Sequence, residues 1–394
     1  MEEHYDIIIL GAGASGLMCA AEASRRGRTT LILDNGSRAG RKILIAGGGK
    51  CNFTNMDVGA EHFITDNPHF CKSALSRYSQ FDFLALMEHH AILWEERDHG
   101  RLFAMGSASE IRDMMEREAR RGGAKLKTGI RIDDISRLAD GRFAVRYGDV
   151  RVITKALVVA TGGLSYPSLD AGPLGFQIAE QFGLKIIPPS PGLVPLTLGK
   201  SDKDRWAPLA GIAVPATVTA GGRTFTENLL FTHRGLSGPG ILQASNYWNP
   251  GEEVLIDLLP ERSILKILEA AGIGSEKGKL KTLLSRYLPK RLVAAILPED
   301  LADKSIGILT KKDINRTASI LHRWQVRPGG TEGYRTAEVT RGGVDTAEIS
   351  SKTFESRKVP GLYFIGEVLD VTGQLGGYNL QWAWSSGWCA GGAV

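Results

Sequence analysis

The chain opens with a short, nearly unbroken apolar run, YDIIIL (Tyr5 to Leu10). Such a run predicts a strand buried on both faces of a parallel sheet. Glycine-rich GAGASG follows, and then LMCAAEASRRG, whose Ala, Leu and Met favour helix and whose Gly27 suits a C-cap. TTLILD (Thr29 to Asp34) predicts a second strand and completes a βαβ unit in about thirty residues. From about Pro68 to Arg121 the spacing predicts helices with loops, in FCKSALSRY, FDFLALMEHH and SASEIRDMMEREARRGG. Short strands follow around Lys125 to Val152, and ALVVATGG predicts another buried strand ending near Gly163. After Pro188-Pro189-Ser190-Pro191 the texture changes, and AVPATVTA, RTFTENLLFT and EVLIDLLP predict antiparallel strands. Residues 261–325 look helical and basic, and the final stretch returns to strand and glycine-loop texture through LYFIGEVLD and a closing helix. The pattern predicts an α/β protein. A discontinuous Rossmann-type domain (1–190 and 328–394) is interrupted by a β-rich insert (191–260) and a basic helical part (261–327).

At 394 residues, with 43% hydrophobic and 23% charged positions, the chain can bury a core without metal or disulfide staples. The four cysteines, Cys19, Cys51, Cys71 and Cys389, form no C-x-x-C pair, which argues against a zinc site and for reduced thiols. No signal-like N-terminus and no apolar run of about 18 residues occur, so a cytoplasmic protein without a membrane span is expected. Net charge is +5, and its distribution matters more than its size. Residues 261–327 hold 14 Lys and Arg against 7 Asp and Glu, a surplus of +7 that leaves the rest of the chain at −2.

The glycine motif is Gly11-Ala12-Gly13-Ala14-Ser15-Gly16. Gly11 permits the tight turn, Gly13 lets backbone approach a pyrophosphate, and Gly16 permits close helix–strand packing. Asp34, 18 residues past Gly16 at the end of the second strand, is placed for a ribose diol. The motif alone suits NAD or FAD equally. GRKILIAGGGKCNFTN follows almost at once, with Arg41, Lys42, Gly47, Gly48, Gly49 and Asn52, where an NAD domain would continue into an ordinary helix. ATGG (Ala160 to Gly163) offers a second glycine turn, Gly366-Glu367 ends a strand, and Gly376-Gly377-Tyr378-Asn379 opens the last helix. A helix N-terminus there would stabilise negative charge on a reduced flavin. Together these pieces favour FAD, bound without a covalent link.

The strings GRKILIAGGGKCNFTN, LFTHRGLSGP, GTEGYRTAEVTRGGVDT and VPGLYFIGEVLDVTGQLGGYNLQWAWSSG resemble a bacterial flavoprotein family labelled BaiN-like or aminoacetone-oxidase-like. The likeness spans essentially the whole chain. It implies a two-dinucleotide-binding-type FAD fold with an inserted β-barrel-like and helical part. It also implies FAD contacts at Gly11, Gly13, Ala14, Gly16, Asp34, Arg41, Lys42, Gly47 to Gly49, Asn52, Gly162, Gly366, Glu367, Gly377 and Asn379. One enterobacterial branch of the family makes dihydrouridine in 23S ribosomal RNA, and the likeness leans that way. Other branches oxidise aminoacetone or are linked to bile-acid dehydroxylation.

No second G-x-G-x-x-G follows a strand, so either NAD(P)H visits the flavin transiently or another donor completes the cycle. Uridine reduction needs a hydride at C6 of the uracil and an acid for C5. Cys51, beside the glycine loop, and His233, in Thr232-His233-Arg234-Gly235, are the candidate acids. Each position equally suits a packing or structural role. Trp382, Trp384 and Trp388 at helical spacing are expected in the core. In the helical part, Lys277, Lys279, Lys281, Arg286, Lys290 and Arg291 are followed by Lys311, Lys312, Arg316 and Arg323. Such a surface would favour a nucleic-acid partner such as 23S rRNA. Three readings follow: an RNA-modifying reductase, a small-molecule flavin oxidase or dehydrogenase, and a non-catalytic nucleotide-binding ribosome-assembly factor.

Overall fold

Ile7, Ile8 and Ile9 are each at most 1% exposed, because the strand Glu2–Leu10 has neighbours on both edges and packing on both faces. The computed structural model describes residues 2–271 and 278–394, which fall into two units, one of residues 1–191 with 338–394 and one of residues 192–337. In the first unit the sheet runs Lys125–Lys127, Thr30–Leu33, Glu2–Leu10, Val150–Val159, Phe143–Tyr147, Asp134–Arg137. Leu362–Phe364 adds a parallel partner to the end of Val150–Val159, with Val159 opposite Phe364. The pairs nearest the glycine motif are parallel, with Ile8 opposite both Leu31 and Leu157. The Phe143–Tyr147 and Asp134–Arg137 strands complete the sheet antiparallel.

Parallel pairing puts the strand C-terminal ends, and therefore the turns that follow them, along one edge of the sheet. Helix Ala14–Arg25 leaves the first of these turns and packs on the last helix, Tyr378–Gly391. The two backbones come so close that a Cβ on Gly391 would sit 2.6 Å from the Cys19 carbonyl oxygen. Trp382 and Trp384 are 1% and 0% exposed and belong to the core. Their indole N–H groups donate to the carbonyls of Gly366 (3.1 Å) and Phe53 (3.0 Å).

The 68–121 stretch departs from the helical expectation. Helices Lys72–Arg77, Gln80–His89 and Ala108–Arg121 are present, but Trp94–Arg97 and Arg101–Ala104 form a hairpin between them. Asp98-His99-Gly100 makes its turn, with His99 and Gly100 both at positive φ (63° and 69°). Asn52–Asn55 pairs with the second strand of this hairpin.

The second unit joins strand and helix around one core, in which Val218, Leu229 and Ile256 cluster with Leu268, Leu284, Leu292 and Leu321. Among the described residues its antiparallel sheet has seven strands, and its end strands are Trp324–Val326 and Pro328–Thr331. Only Arg327 separates those two in the chain, so the sheet must curl until its edges approach, which gives the barrel-like form. The unit runs past the expected 328 boundary to Ala337, because Pro328–Thr331 pairs with Leu196–Leu198.

Candidate cofactor and active site

The site begins at the turn after Glu2–Leu10. Gly11 has φ 107°, and a Cβ there would overlap the Ala160 carbonyl oxygen. A Cβ on Gly16 would overlap the Gly11 carbonyl oxygen. Nothing lies within 4 Å of a Cβ built on Gly13, so the turn is tight underneath and open above. The helix begins at Ala14 with no side-chain cap and no acid in its first turn, which leaves its positive end to an anion. Asp34 fixes this loop from the neighbouring strand. Its two carboxylate oxygens accept N–H groups from Ala12 (2.6 Å) and Gly36 (2.7 Å).

The next segment crosses toward the other glycine turns. Arg41 pairs with Asp170 (2.5 Å) and also donates to the Leu169 carbonyl, so its guanidinium braces the segment Pro167–Leu169. Lys42 donates to Ser165 Oγ (2.6 Å) and Glu367 Oε2 (2.7 Å). Glu367 also accepts from Ser165 Oγ (3.0 Å) and the Thr340 N–H (2.9 Å). Lys42, Ser165, Thr340 and Glu367 therefore tie together four segments distant in sequence. Gly162 (φ 72°) belongs to the same cluster, and a Cβ there would lie 3.9 Å from Glu367 Oε2. Gly366 (φ 72°) abuts the first loop, and a Cβ there would come 2.6 Å from Ser15 Oγ.

Gly47, Gly48 and Gly49 all take left-handed φ (56°, 66° and 87°), and Gly48 has open space where a Cβ would stand. Asn52 uses its amide to brace this loop, donating to the carbonyls of Thr54 (3.0 Å) and Leu102 (2.9 Å). Gly377 (φ 94°) begins the last helix, again with no side-chain cap, and a Cβ there would overlap the Thr54 carbonyl oxygen. Asn379 pins the preceding turn, accepting from Gly373 N–H (2.8 Å) and donating to the Gly373 carbonyl (2.9 Å). Two uncapped helix N-termini, a braced acid and three left-handed glycine turns thus line one end of the first unit's sheet. They suit a dinucleotide: anion-accepting amides for the pyrophosphate, and backbone close enough to follow a flat ring.

The two candidate acids fare differently. Cys51 is 0% exposed and packs in the hydrophobic core, and burial pushes its thiol well above the usual range. A thiol so enclosed cannot touch a substrate, so the expectation of Cys51 as proton donor is corrected to a packing role. His233 belongs to the second unit, exposed on the turn between Arg223–Phe231 and Gly235–Ser237, where Thr232 Oγ1 accepts the Gly235 N–H (3.0 Å).

One acid escapes a reading of the sequence alone. Glu338, half-buried ahead of the strand Val339–Val344, has its carboxyl pushed up to about 7, chiefly by burial and against the pull of Arg101. Tyr166, at φ 58° in the loop after Val150–Val159, is raised by burial and by the Glu338 charge. The signal available in the sequence is an acid set among small and apolar residues in TAEVT.

In the second unit, ion pairs take up part of the basic segment. Lys279 (2.7 Å) and Lys281 (2.8 Å) share Asp303, Lys304 holds Asp313 (2.5 Å) and Arg316 holds Asp300 (2.5 Å). Arg291 donates to the Pro208 carbonyl. Pairing redistributes the surplus without cancelling it, since the acids involved are already counted. Lys290, Lys311, Lys312 and Arg323 are exposed and carry no ion pair among the described residues. Lys277 lies outside the described residues.

With this geometry in place, the comparison with known proteins is direct. The family profile described as HI0933-like protein Rossmann domain matches residues 5–393. The chain belongs to the HI0933-like family. It is 50% identical over 391 residues to the ribosomal RNA dihydrouridine synthase of Escherichia coli strain K12, covering 98% of each chain. It is 30% identical to the 3-dehydro-bile acid delta(4,6)-reductase of Clostridium scindens, again covering 98% of both. Among solved structures, a 3-ketosteroid-delta4-(5alpha)-dehydrogenase from Rhodococcus jostii RHA1 superposes with a TM-score of 0.52 at 14% identity, over 99% of this chain and 97% of that one, a likeness of fold. This member of the HI0933-like family is thus an oxidoreductase with a Rossmann-type FAD-binding fold.

Proposed function

We propose that this chain is an FAD-dependent reductase that converts uridine to dihydrouridine in ribosomal RNA, with 23S rRNA as substrate and NAD(P)H as electron donor. The observation that carries the reading is the 50% identity, across nearly the full length of both chains, to a protein named for that reaction. FAD would lie with its pyrophosphate over Gly11, Gly13, Ala14 and Gly16, its ribose at Asp34, and its ring system along Gly47 to Gly49, Asn52, Gly162, Gly366, Glu367, Gly377 and Asn379. Arg41 and Lys42 would hold the surrounding segments. When bound, FAD supplies the hydride.

The basic part of the second unit supports an RNA substrate. Lys290 and Arg291 open one helix, and Lys311 and Lys312 open another. Cations there oppose the helix dipole at a cost of about 0.3–1 kcal/mol each, a placement that an RNA phosphate would reward. NAD(P)H would bind weakly and transiently, since a second dinucleotide turn is lacking in the sequence. The protein would work in the cytoplasm beside its substrate. Among the described residues, no helix is long and apolar enough to cross a membrane.

The deciding experiment deletes the gene, digests 23S rRNA to nucleosides and measures dihydrouridine by mass spectrometry. Loss on deletion and return on complementation support the reading, and an unchanged level rejects it. The full-length likeness to a bile-acid reductase favours one second reading, reduction of an unsaturated small molecule at the same site. That reading predicts turnover with a small conjugated ketone and indifference to RNA.

A further inference from the structure

The hairpin of Trp94–Arg97 and Arg101–Ala104 shows different neighbours to its two faces. Leu102 and Ala104 are 0% exposed and belong to the core, while Arg101 and Phe103 alternate with them, half-buried, on the other face. Register puts Glu95 opposite Phe103 and Arg97 opposite Arg101, so these side chains share that face. The face lies against two glycine turns of the candidate site. A Cβ on Gly47 would sit 2.7 Å from Phe103 Cε1, and one on Gly376 would sit 3.3 Å from Arg101 Nε. Asn55 locks the hairpin to the second of these turns by donating to the carbonyls of His99 and Gly376, both at 3.0 Å. Beside the first turn, Gly48 has open space where a Cβ would stand.

Arg97 lies over Phe103, its guanidinium carbon 4.2 Å from the ring centre. Glu95 Oε1 fixes it there, accepting from Arg97 Nε (2.8 Å) and Nη2 (2.5 Å). The Arg97 side chain is still 45% exposed, so the ring covers one side of the guanidinium and solvent meets the other. An ion pair and a ring contact this exposed do little for stability. A planar cation tethered to both a ring and a carboxylate has, however, little rotamer freedom left to lose when a ligand arrives. Guanidinium planes and aromatic rings are the surfaces on which proteins stack unpaired RNA bases. Because Glu95 balances the Arg97 charge, what is offered is a flat face and not a net charge.

We propose that Arg97, held on Phe103, is a base-stacking platform at the rim of the cofactor site and takes the RNA base that flanks the target uridine. The inference rests on the reading of the chain as a uridine reductase. A uridine brought to a flavin must leave its stack, and its neighbour loses a partner as it goes. The platform gives that neighbour a new partner, beside the glycine loop assigned to the flavin ring.

The test uses the FAD-loaded protein and its F103L and R97K variants. F103L keeps an apolar side chain against Gly47 but has no ring, and R97K keeps the charge but has no plane. The probe is a short single-stranded RNA with 2-aminopurine on each side of one uridine. Its emission should fall on binding the parent, as the fluorescent base stacks, and should fall less with either variant. In single turnover with pre-reduced protein, the 23S rRNA fragment concentration giving half the maximal rate of dihydrouridine formation should rise. The rise should be roughly 5- to 150-fold in F103L and smaller in R97K. The slope of log K against log salt should match the parent's in both variants, which separates stacking from phosphate contact.

Quenching and half-saturation equal to the parent's in both variants overturn the proposal, and so does a probe whose emission the parent leaves unchanged. A shifted flavin spectrum in F103L with RNA binding intact also overturns it, by making Phe103 a wall of the cofactor pocket. R97K leaves the Gly47 contact untouched and decides alone if F103L fails to hold flavin. A parent that quenches the probe but forms no dihydrouridine rejects the uridine reading and keeps the platform.

Discussion

The two units of this chain solve the burial problem in opposite ways. In the first, Ile7 to Ile9 are buried on both faces of the sheet, which leaves strand ends as the place for chemistry. The polar groups collect there, at turns where backbone approaches backbone more closely than a Cβ would allow. In the second, the strand Ala213–Ala220 alternates exposed or half-exposed and buried positions, and polar groups run along its outer face. Thr217 and Thr226, and Thr219 and Thr224, meet across that face at 2.8 and 3.0 Å. A parallel core thus concentrates its chemistry in a few intolerant positions, whereas an antiparallel one spreads it over many tolerant ones. Substitutions should be nearly all-or-none in the first unit and graded in the second.

The sharpest test of that contrast is Gly16→Val. Its side chain would collide with the Gly11 carbonyl, and overpacking a turn this tight should remove flavin binding altogether. Thr224→Val on the outer face of the second unit should move the melting temperature by no more than about 1–2 °C. Thermal melts with flavin fluorescence read both, and a yellow, stable Gly16→Val protein would break the comparison.

The next effect comes from Glu338 and has a definite sign. Its folded pKa of about 7 lies above the ordinary value of 4.5, so the fold favours the neutral form. That stability is complete below about pH 4.5 and is lost as pH rises through about 7, by up to about 3 kcal/mol. E338Q cannot ionise, so it should match the parent near pH 5 and melt higher than the parent near pH 8. An equal gap at both pH values would place the carboxyl in solvent.

Asp34→Ala comes third. It removes charge-assisted bonds worth about 1.5–3 kcal/mol, and FAD affinity should fall roughly 10- to 100-fold. Because Asp34 also holds the Ala12 and Gly36 amides, Asp34→Asn should recover part of that loss. Equal affinities in titrations of apoprotein would mean the ribose is held elsewhere.

The smallest effect per residue belongs to the second unit. Changing Lys290, Lys311, Lys312 and Arg323 together to Ala should flatten the slope of log K against log salt for rRNA fragments. Each phosphate that is no longer neutralised should change the slope by about 0.7–0.9. Flavin content should not change. A slope equal to the parent's would mark these cations as a solvated face.

Much of the first unit was legible because its signals are local. An unbroken apolar run, a glycine turn and an acid at the next strand end lie within about thirty residues of one another. The hairpin Trp94–Ala104 was not, since WEERDHGR reads as surface until Asn52–Asn55 supplies a pairing partner from far upstream. Without the hairpin, Arg101 has no place near the site. Cys51 misleads by adjacency: it follows the glycine loop in sequence, but at φ 51° its side chain packs in the core. The charge surplus at 261–327 could be counted from sequence, yet its pairing could not, because Asp303 lies more than twenty residues from the lysines it binds. Glu338 needed three segments to be folded around it before its burial meant anything.

The discontinuity of the first unit bears on how the protein is made. Val150–Val159 leaves the ribosome long before Leu362–Phe364, its partner along the final turn of the sheet. Glu367, which ties Lys42 to Ser165 and Thr340, is translated later still. The second unit draws its core from one uninterrupted stretch of chain and can close while the first still waits, half paired. If these late ties complete the proposed cofactor site, flavin capture would be a late event in biosynthesis. A nascent chain from which residues 192–337 have just cleared the ribosome would carry a finished insert and an open first sheet, exposing apolar strand edges to whatever chaperone is nearest.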